Sequence, residues 1–224
     1  MSGETTKLLS IAMQMGLHCE TLEKQQVDSG FGRPIPVLVI GPPGVAKTEV
    51  INHIARSIAE ATKKPFPCET YSAAQLCAED LSGLPVPDLA TGTTRLLPLH
   101  VGKEVLETQR GVVFLDELTS SSPSVGAACL TFIQSGILGE TKISNAVARV
   151  AAANPSDMAA SGRDLSAPES NRFLHLTWEL SHRDFFDWML GGVGAAKDVV
   201  ILEPDWEQKF GMMSRSVVVS YLKK

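Results

Sequence analysis

The sequence predicts an α/β fold in which helices cover both faces of a parallel sheet. Three observations lead there. Short apolar runs alternate with segments of helical period along the chain. Of two such runs, VLVI (37–40) and VVFLD (112–116), the second is rich in β-branched residues and does not alternate, as befits a strand buried on both faces. Finally, GPPGVAKT (41–48) stands between the first of these runs and a helix. That is the setting of a phosphate-binding loop of the form G-x-x-x-x-G-K-[ST], except that Ala46 replaces its last glycine.

The elements follow in order. Leu8, Leu9, Ala12, Met15 and Leu22 suggest a helix within 4–28, broken by Gly30, Gly32, Pro34 and Pro36 ahead of a strand over 37–40. Val50, Ile51, Ile54, Ala55, Ile58 and Ala59 predict a helix from 47 to about 63. A short strand is expected over 67–71, and a Gly, Pro and Thr-rich loop or hairpin over 82–99. A helix over 101–109 stops at Gly111 before the strand VVFLD, and a helix over 122–134 runs into a glycine-rich turn. VARVAAAN (147–154) and FLHLTW (173–178) are the remaining strands, with Ser181 as N-cap of a helix through Leu190. The expected organisation is an N-terminal helix and linker (1–30), the α/β core (31–190), and a linker ending in a candidate helix (191–224).

Composition removes several classes. Apolar content of 44% with 20% charged residues is that of a globular domain. A net charge of −5 offers no general attraction for nucleic acid. No run approaches the ~20 apolar residues of a membrane span, and MSGETTKLLS lacks the layout of a signal peptide. A cytoplasmic protein is expected. Cys19, Cys68, Cys77 and Cys129 form no C-x-x-C pair, so reduced and mostly buried thiols are expected.

Ligands of parallel sheets sit at the carboxyl ends of the strands, where the informative residues fall. The candidate nucleotide cradle is Gly41, Pro42, Pro43, Gly44, Val45, Ala46, Lys47, Thr48 and Glu49. Its backbone N–H groups and the following helix N-terminus suit phosphate oxygens. Lys47 would bring a positive charge to the β and γ phosphates, while Thr48 and Asp116 would ligate Mg²⁺. Glu117 would orient and deprotonate an attacking water. Asn154 either holds that water or starts a plain Asn-Pro turn. Arg172 is either an arginine finger or a surface arginine paired with Glu169. Ala46 is expected at the start of the helix with negative φ, where a Cβ is tolerated.

Taken in order, GPPGVAKT, VVFLDELT, VAAANP and SNRFLHL resemble the AAA+ ATPases, specifically their MoxR and dynein-related branch, over roughly residues 35–180. That branch commonly has alanine before the loop lysine. The resemblance implies a P-loop three-layer sandwich with a five-stranded parallel sheet of order 5-1-4-3-2, and ATP/ADP with Mg²⁺ as cofactors. It makes Gly41, Gly44, Lys47 and Thr48 the Walker A loop, Asp116 and Glu117 Walker B, Asn154 sensor 1, and Arg172 a finger acting on the adjacent protomer. It further implies a ring, usually a hexamer, that hydrolyses ATP to remodel or mature client proteins, often beside a partner with a von Willebrand factor A domain.

Only 52 residues follow Arg172, and no sensor 2 arginine is recognisable among them. The helical lid is therefore expected to be largely absent, in the core of a longer protein or a lidless one. In GLPVPDLATGTTRLLPL (83–99), Arg95, Leu96 and Leu97 either touch a client or tuck a surface loop onto the core. Two other readings stay open: a nucleotide-dependent assembly scaffold with little turnover, and a DNA-directed motor, although nucleic acid is not the expected partner.

Overall fold

The computed structural model describes residues 3–17, 34–155, 158, 164–179 and 199–202. The helix expected after Ser181, the candidate lid helix, Cys19 and the remainder of 4–28 lie outside them. In chain order the elements are α1 (Gly3–Gln14), β1 (Val37–Ile40), α2 (Lys47–Thr62), β2 (Cys68–Ser72), α3 (Ala78–Ser82), β3 (Leu84–Asp88) and β4 (Thr93–Leu97). They continue with α4 (Lys103–Thr108), β5 (Gly111–Asp116), a 3-10 turn (Leu118–Ser120), α5 (Pro123–Ser135), β6 (Ile137–Leu138), β7 (Thr141–Lys142), β8 (Val147–Ala153), α6 (Ala167–Ser170) and β9 (Leu174–Thr177).

Five strands form one parallel sheet in the order β2-β5-β8-β1-β9. Counted within the sheet this is 5-1-4-3-2 from the other edge, as the resemblance implied. The unbroken apolar runs divide between two cores because successive side chains point to opposite faces. Val37 and Val39 join Leu9 and Met13 of α1 and Ile51, Ile54 and Ile58 of α2. Leu38 faces the other way, into a core with Val125, Cys129, Phe132 and Ile133 of α5. Every residue of β8 is buried, and its alanines sit where both layers close on the sheet.

Segment 82–99 is the β3–β4 hairpin, turning at Gly92 with φ 68°. Its base is held by backbone: Glu140 N donates to Leu96 O at 3.1 Å, and Gly139 N to Leu81 O at 2.9 Å. A Cβ on Gly139 would lie 2.6 Å from Leu96 O, so only glycine permits this approach. The alternative of leucines tucked onto the core is not what forms. Leu84, Leu96, Leu97 and Leu99 stay exposed, and Leu89 is 95% exposed. Arg95 lies 4.0 Å from Glu140 at the surface.

On the opposite face, α1 carries a buried polar row, Thr6, Ser10 and Gln14. Ser10 and Gln14 of this row are satisfied by chain 199–202, while the Thr6 hydroxyl has no hydrogen-bond partner among the described residues. Gln14 Nε2 donates to Val200 O at 2.6 Å, Leu202 N donates to Gln14 Oε1 at 3.0 Å, and Val200 N donates to Ser10 Oγ at 3.1 Å. The Gln14 amide thus pairs as a peptide group would.

Cys68, Cys77 and Cys129 are free thiols. Only Cys129 is fully buried, which corrects the expectation of mostly buried cysteines; Cys77 is exposed at the start of α3. Among the described residues, no helix is long and apolar enough to cross a membrane.

Candidate active site

All five strands are parallel, so their carboxyl ends share one edge, and register brings particular residues together there. Ile40 lies level with Ala153 and Thr177, and Ser72 with Asp116. The ladder continues into the loops: Gly41 N donates to Ala153 O at 3.2 Å, and Ala73 N to Asp116 O at 2.8 Å. Lys47, Thr48, Asp116, Glu117 and Asn154 therefore converge, although up to 107 positions separate them in sequence.

Lys47 is buried at the first turn of α2. Its ammonium donates to Gly41 O (2.8 Å), Pro42 O (2.9 Å) and Asn154 Oδ1 (2.9 Å), which uses all three protons. Burial pulls its pKa below the usual lysine range, opposed by the carboxylates of Asp116 and Glu117. Beside it, Thr48 Oγ1 donates to Asp116 Oδ2 at 2.8 Å. The other carboxylate oxygen of Asp116 accepts from Glu117 N at 2.9 Å.

Glu117 is exposed, with left-handed backbone (φ 55°), so the chain turns sharply out of β5 and presents its carboxylate beyond the sheet. Ser72 Oγ, at the end of β2, donates to Glu117 Oε2 at 3.2 Å. Sequence reasoning missed Ser72. A serine closing a short strand is ordinary, and only the register with Asp116 brings it to Glu117.

Two sites stand elsewhere. Arg172 follows α6 and precedes β9, at the amino end of the strands, and its side chain is exposed. The four residues of β9, about 13 Å of strand, separate it from the edge that carries Lys47. Glu169 is buried, and its carboxylate accepts from Ser166 N at 2.7 Å, closing a capping box. Glu49 turns along α2 to Arg56 at 2.7 Å, so its side chain leaves the cradle.

The expectation for Ala46 is overturned. Its φ is 57° and ψ 29°, a left-handed conformation, and it precedes the helix rather than opening it. The reason lies in how the loop enters α2. Ala46 O accepts the first helical bond, from Val50 N at 3.1 Å, while the preceding turn has Gly44 at φ 78°. Joining that turn to the helix needs a second left-handed residue, which disfavours L-residues by about 1–2 kcal/mol.

The residues present fit a nucleotide with Mg²⁺. A Cβ at Gly44 would meet nothing within 4 Å, so the outer loop is open to a ligand. The Thr48 hydroxyl and Asp116 carboxylate are hard oxygen donors already side by side. Mg²⁺ binds through one or two protein oxygens and keeps water and phosphate for the rest.

The family described as AAA domain (dynein-related subfamily) matches residues 36–173. A solved structure of a candidate ATPase from Cytophaga hutchinsonii matches at 19% identity with a TM-score of 0.46, covering 86% of this chain and 54% of that one. The chain thus spans about half the length of that protein. No curated protein matches the sequence.

Proposed function

Because this chain belongs to the dynein-related subfamily of AAA domains, we propose that it binds ATP with Mg²⁺, hydrolyses it at an interface between protomers of a ring, and uses the cycle to remodel client proteins. One observation carries the reading. Lys47, Thr48, Asp116, Glu117 and Asn154 meet at the carboxyl edge of the sheet, with hydrogen bonds joining Lys47 to Asn154 and Thr48 to Asp116.

The loop 41–48 binds the phosphates, and Lys47 exchanges its bonds to loop carbonyls for phosphate oxygens. Thr48 and Asp116 would hold Mg²⁺, which supplies charge neutralisation on the β and γ phosphates. Glu117 takes the proton from a water whose oxygen forms a bond to the γ-phosphorus. The bond from that phosphorus to the β–γ bridging oxygen breaks, and ADP leaves with the electron pair. Asn154 holds the attacking water. Arg172, too far from its own loop to take part there, reaches the nucleotide of the next protomer.

The exposed leucines of the β3–β4 hairpin support client contact, since clustered surface leucines favour binding apolar segments. A partner with a von Willebrand factor A domain, a hexameric ring and a cytoplasmic setting belong to the same proposal. The test is ATPase rate per subunit against protein concentration. The rate should rise as protomers assemble. Tight ATP binding with negligible turnover by the assembled protein would instead favour the scaffold reading.

A further inference from the structure

Trp178 lies outside the motifs and next to none of the reacting groups, yet it grips the phosphate loop at both ends. Its backbone N–H donates to Ile40 O at 2.6 Å, just before Gly41. A Cβ on Gly41 would lie 2.5 Å from Trp178 O and 2.9 Å from Trp178 Cβ, so the loop begins pressed against this residue. At the far end, the indole Nε1–H donates to Val45 O at 3.1 Å. The side chain is 1% exposed and packed in the core shared by α1 and α2. The carbonyl that it holds belongs to the peptide joining Val45 to the left-handed Ala46.

We propose that Trp178 is a positioning residue that fixes the Val45–Ala46 peptide so that its N–H faces the phosphates, holding Ala46 left-handed where a glycine would need no such hold. When a peptide unit flips, the next residue's φ changes by about half a turn, which would return Ala46 to negative φ. Alanine favours that flip and glycine is indifferent to it. The flip turns the Val45 carbonyl toward the ligand and removes one donor from the nest. The indole hydrogen bond opposes it, because breaking that bond leaves a buried donor unpaired.

This proposal rests on nucleotide binding at loop 41–48, and its test separates the two. ADP affinity with Mg²⁺ is measured by calorimetry on the full chain, on Trp178→Phe, and on both in an Ala46→Gly background, with thermal unfolding of each. Trp178→Phe should weaken ADP binding about ten-fold with Ala46 in place, and less than about three-fold in the Ala46→Gly background. A purely structural loss would be equal in the two backgrounds, and equal losses, or none, overturn the proposal. If the unaltered chain binds no ADP, the site reading itself fails. Should Trp178→Phe not fold, hydrogen exchange of the Trp178 indole proton in the unaltered chain decides. Protection that strengthens with ADP supports the proposal, and an unprotected proton overturns it.

Discussion

Lys47 Nζ donates to Asn154 Oδ1 at 2.9 Å, so the loop lysine and the end of β8 hold each other. Phosphate must therefore compete for an ammonium that is already satisfied. Lys47→Ala removes the only positive charge of the loop and should weaken ATP binding by at least about ten-fold. Asn154→Ala should change ATP affinity little but lower turnover about 10²-fold, through a misplaced water. Fluorescent-nucleotide titration beside steady-state ATPase separates the two. Equal loss of affinity in both would assign Asn154 to binding.

Glu117→Gln keeps the shape and the Ser72 contact but removes the base. Turnover should fall by roughly 10²- to 10⁴-fold, the worth of general-base catalysis, while ATP stays bound. Single-turnover assays with radiolabelled ATP check this. Hydrolysis at the parent rate would remove Glu117 from its role.

Arg172 stands at the amino end of the strands, exposed, with the sheet between it and its own loop. Arg172→Ala should lower assembled turnover by about 10³-fold, the lower range for an arginine finger, without changing ADP affinity. Mixing it with Lys47→Ala protein should restore activity at interfaces that join an intact loop to an intact arginine. No recovery on mixing would contradict action across the interface.

The thiols differ in a way that chemistry can read. Burial pushes the Cys68 thiol up to about 11, a bond with Thr70 opposing and the Glu69 charge assisting. At about pH 8 its thiolate is scarce, so alkylation should run about a hundred-fold slower than at exposed Cys77, as mass spectrometry would locate. The folded chain keeps a proton that the unfolded chain loses near pH 9. This contribution to stability is complete below that pH and is lost as pH rises through about 11.

Much of this was legible because strand and helix periods carry packing directly. VLVI and VVFLD became β1 and the body of β5, and the helix predicted from residue 47 begins there. The sheet order came with the resemblance, and the register then placed Asp116 beside Thr48. What escaped was backbone conformation and contact across the fold. Ala46 was assigned by its intrinsic preference, but that bias is small against the hydrogen bonds that close the loop on α2. Ser72 and Trp178 sit at the ends of strands, where nothing in their neighbours announces what lies opposite. The cysteines as a group are expected to be mostly buried, yet Cys68 lies on an edge strand and is only partly covered.

The strip at 199–202, zipped to α1 by the Gln14 amide, gives the molecule a second handle. It lies with the core of α1 and α2, whereas Leu81, Val101 and Val105, which flank the β3–β4 hairpin, belong to the core on the other face. Leu89 and Ile201 are both accessible, 95% and 38% exposed. A dye at each would straddle the sheet and form an optical ruler across it. Its readings could follow the hairpin through a nucleotide cycle without any label touching the phosphate loop.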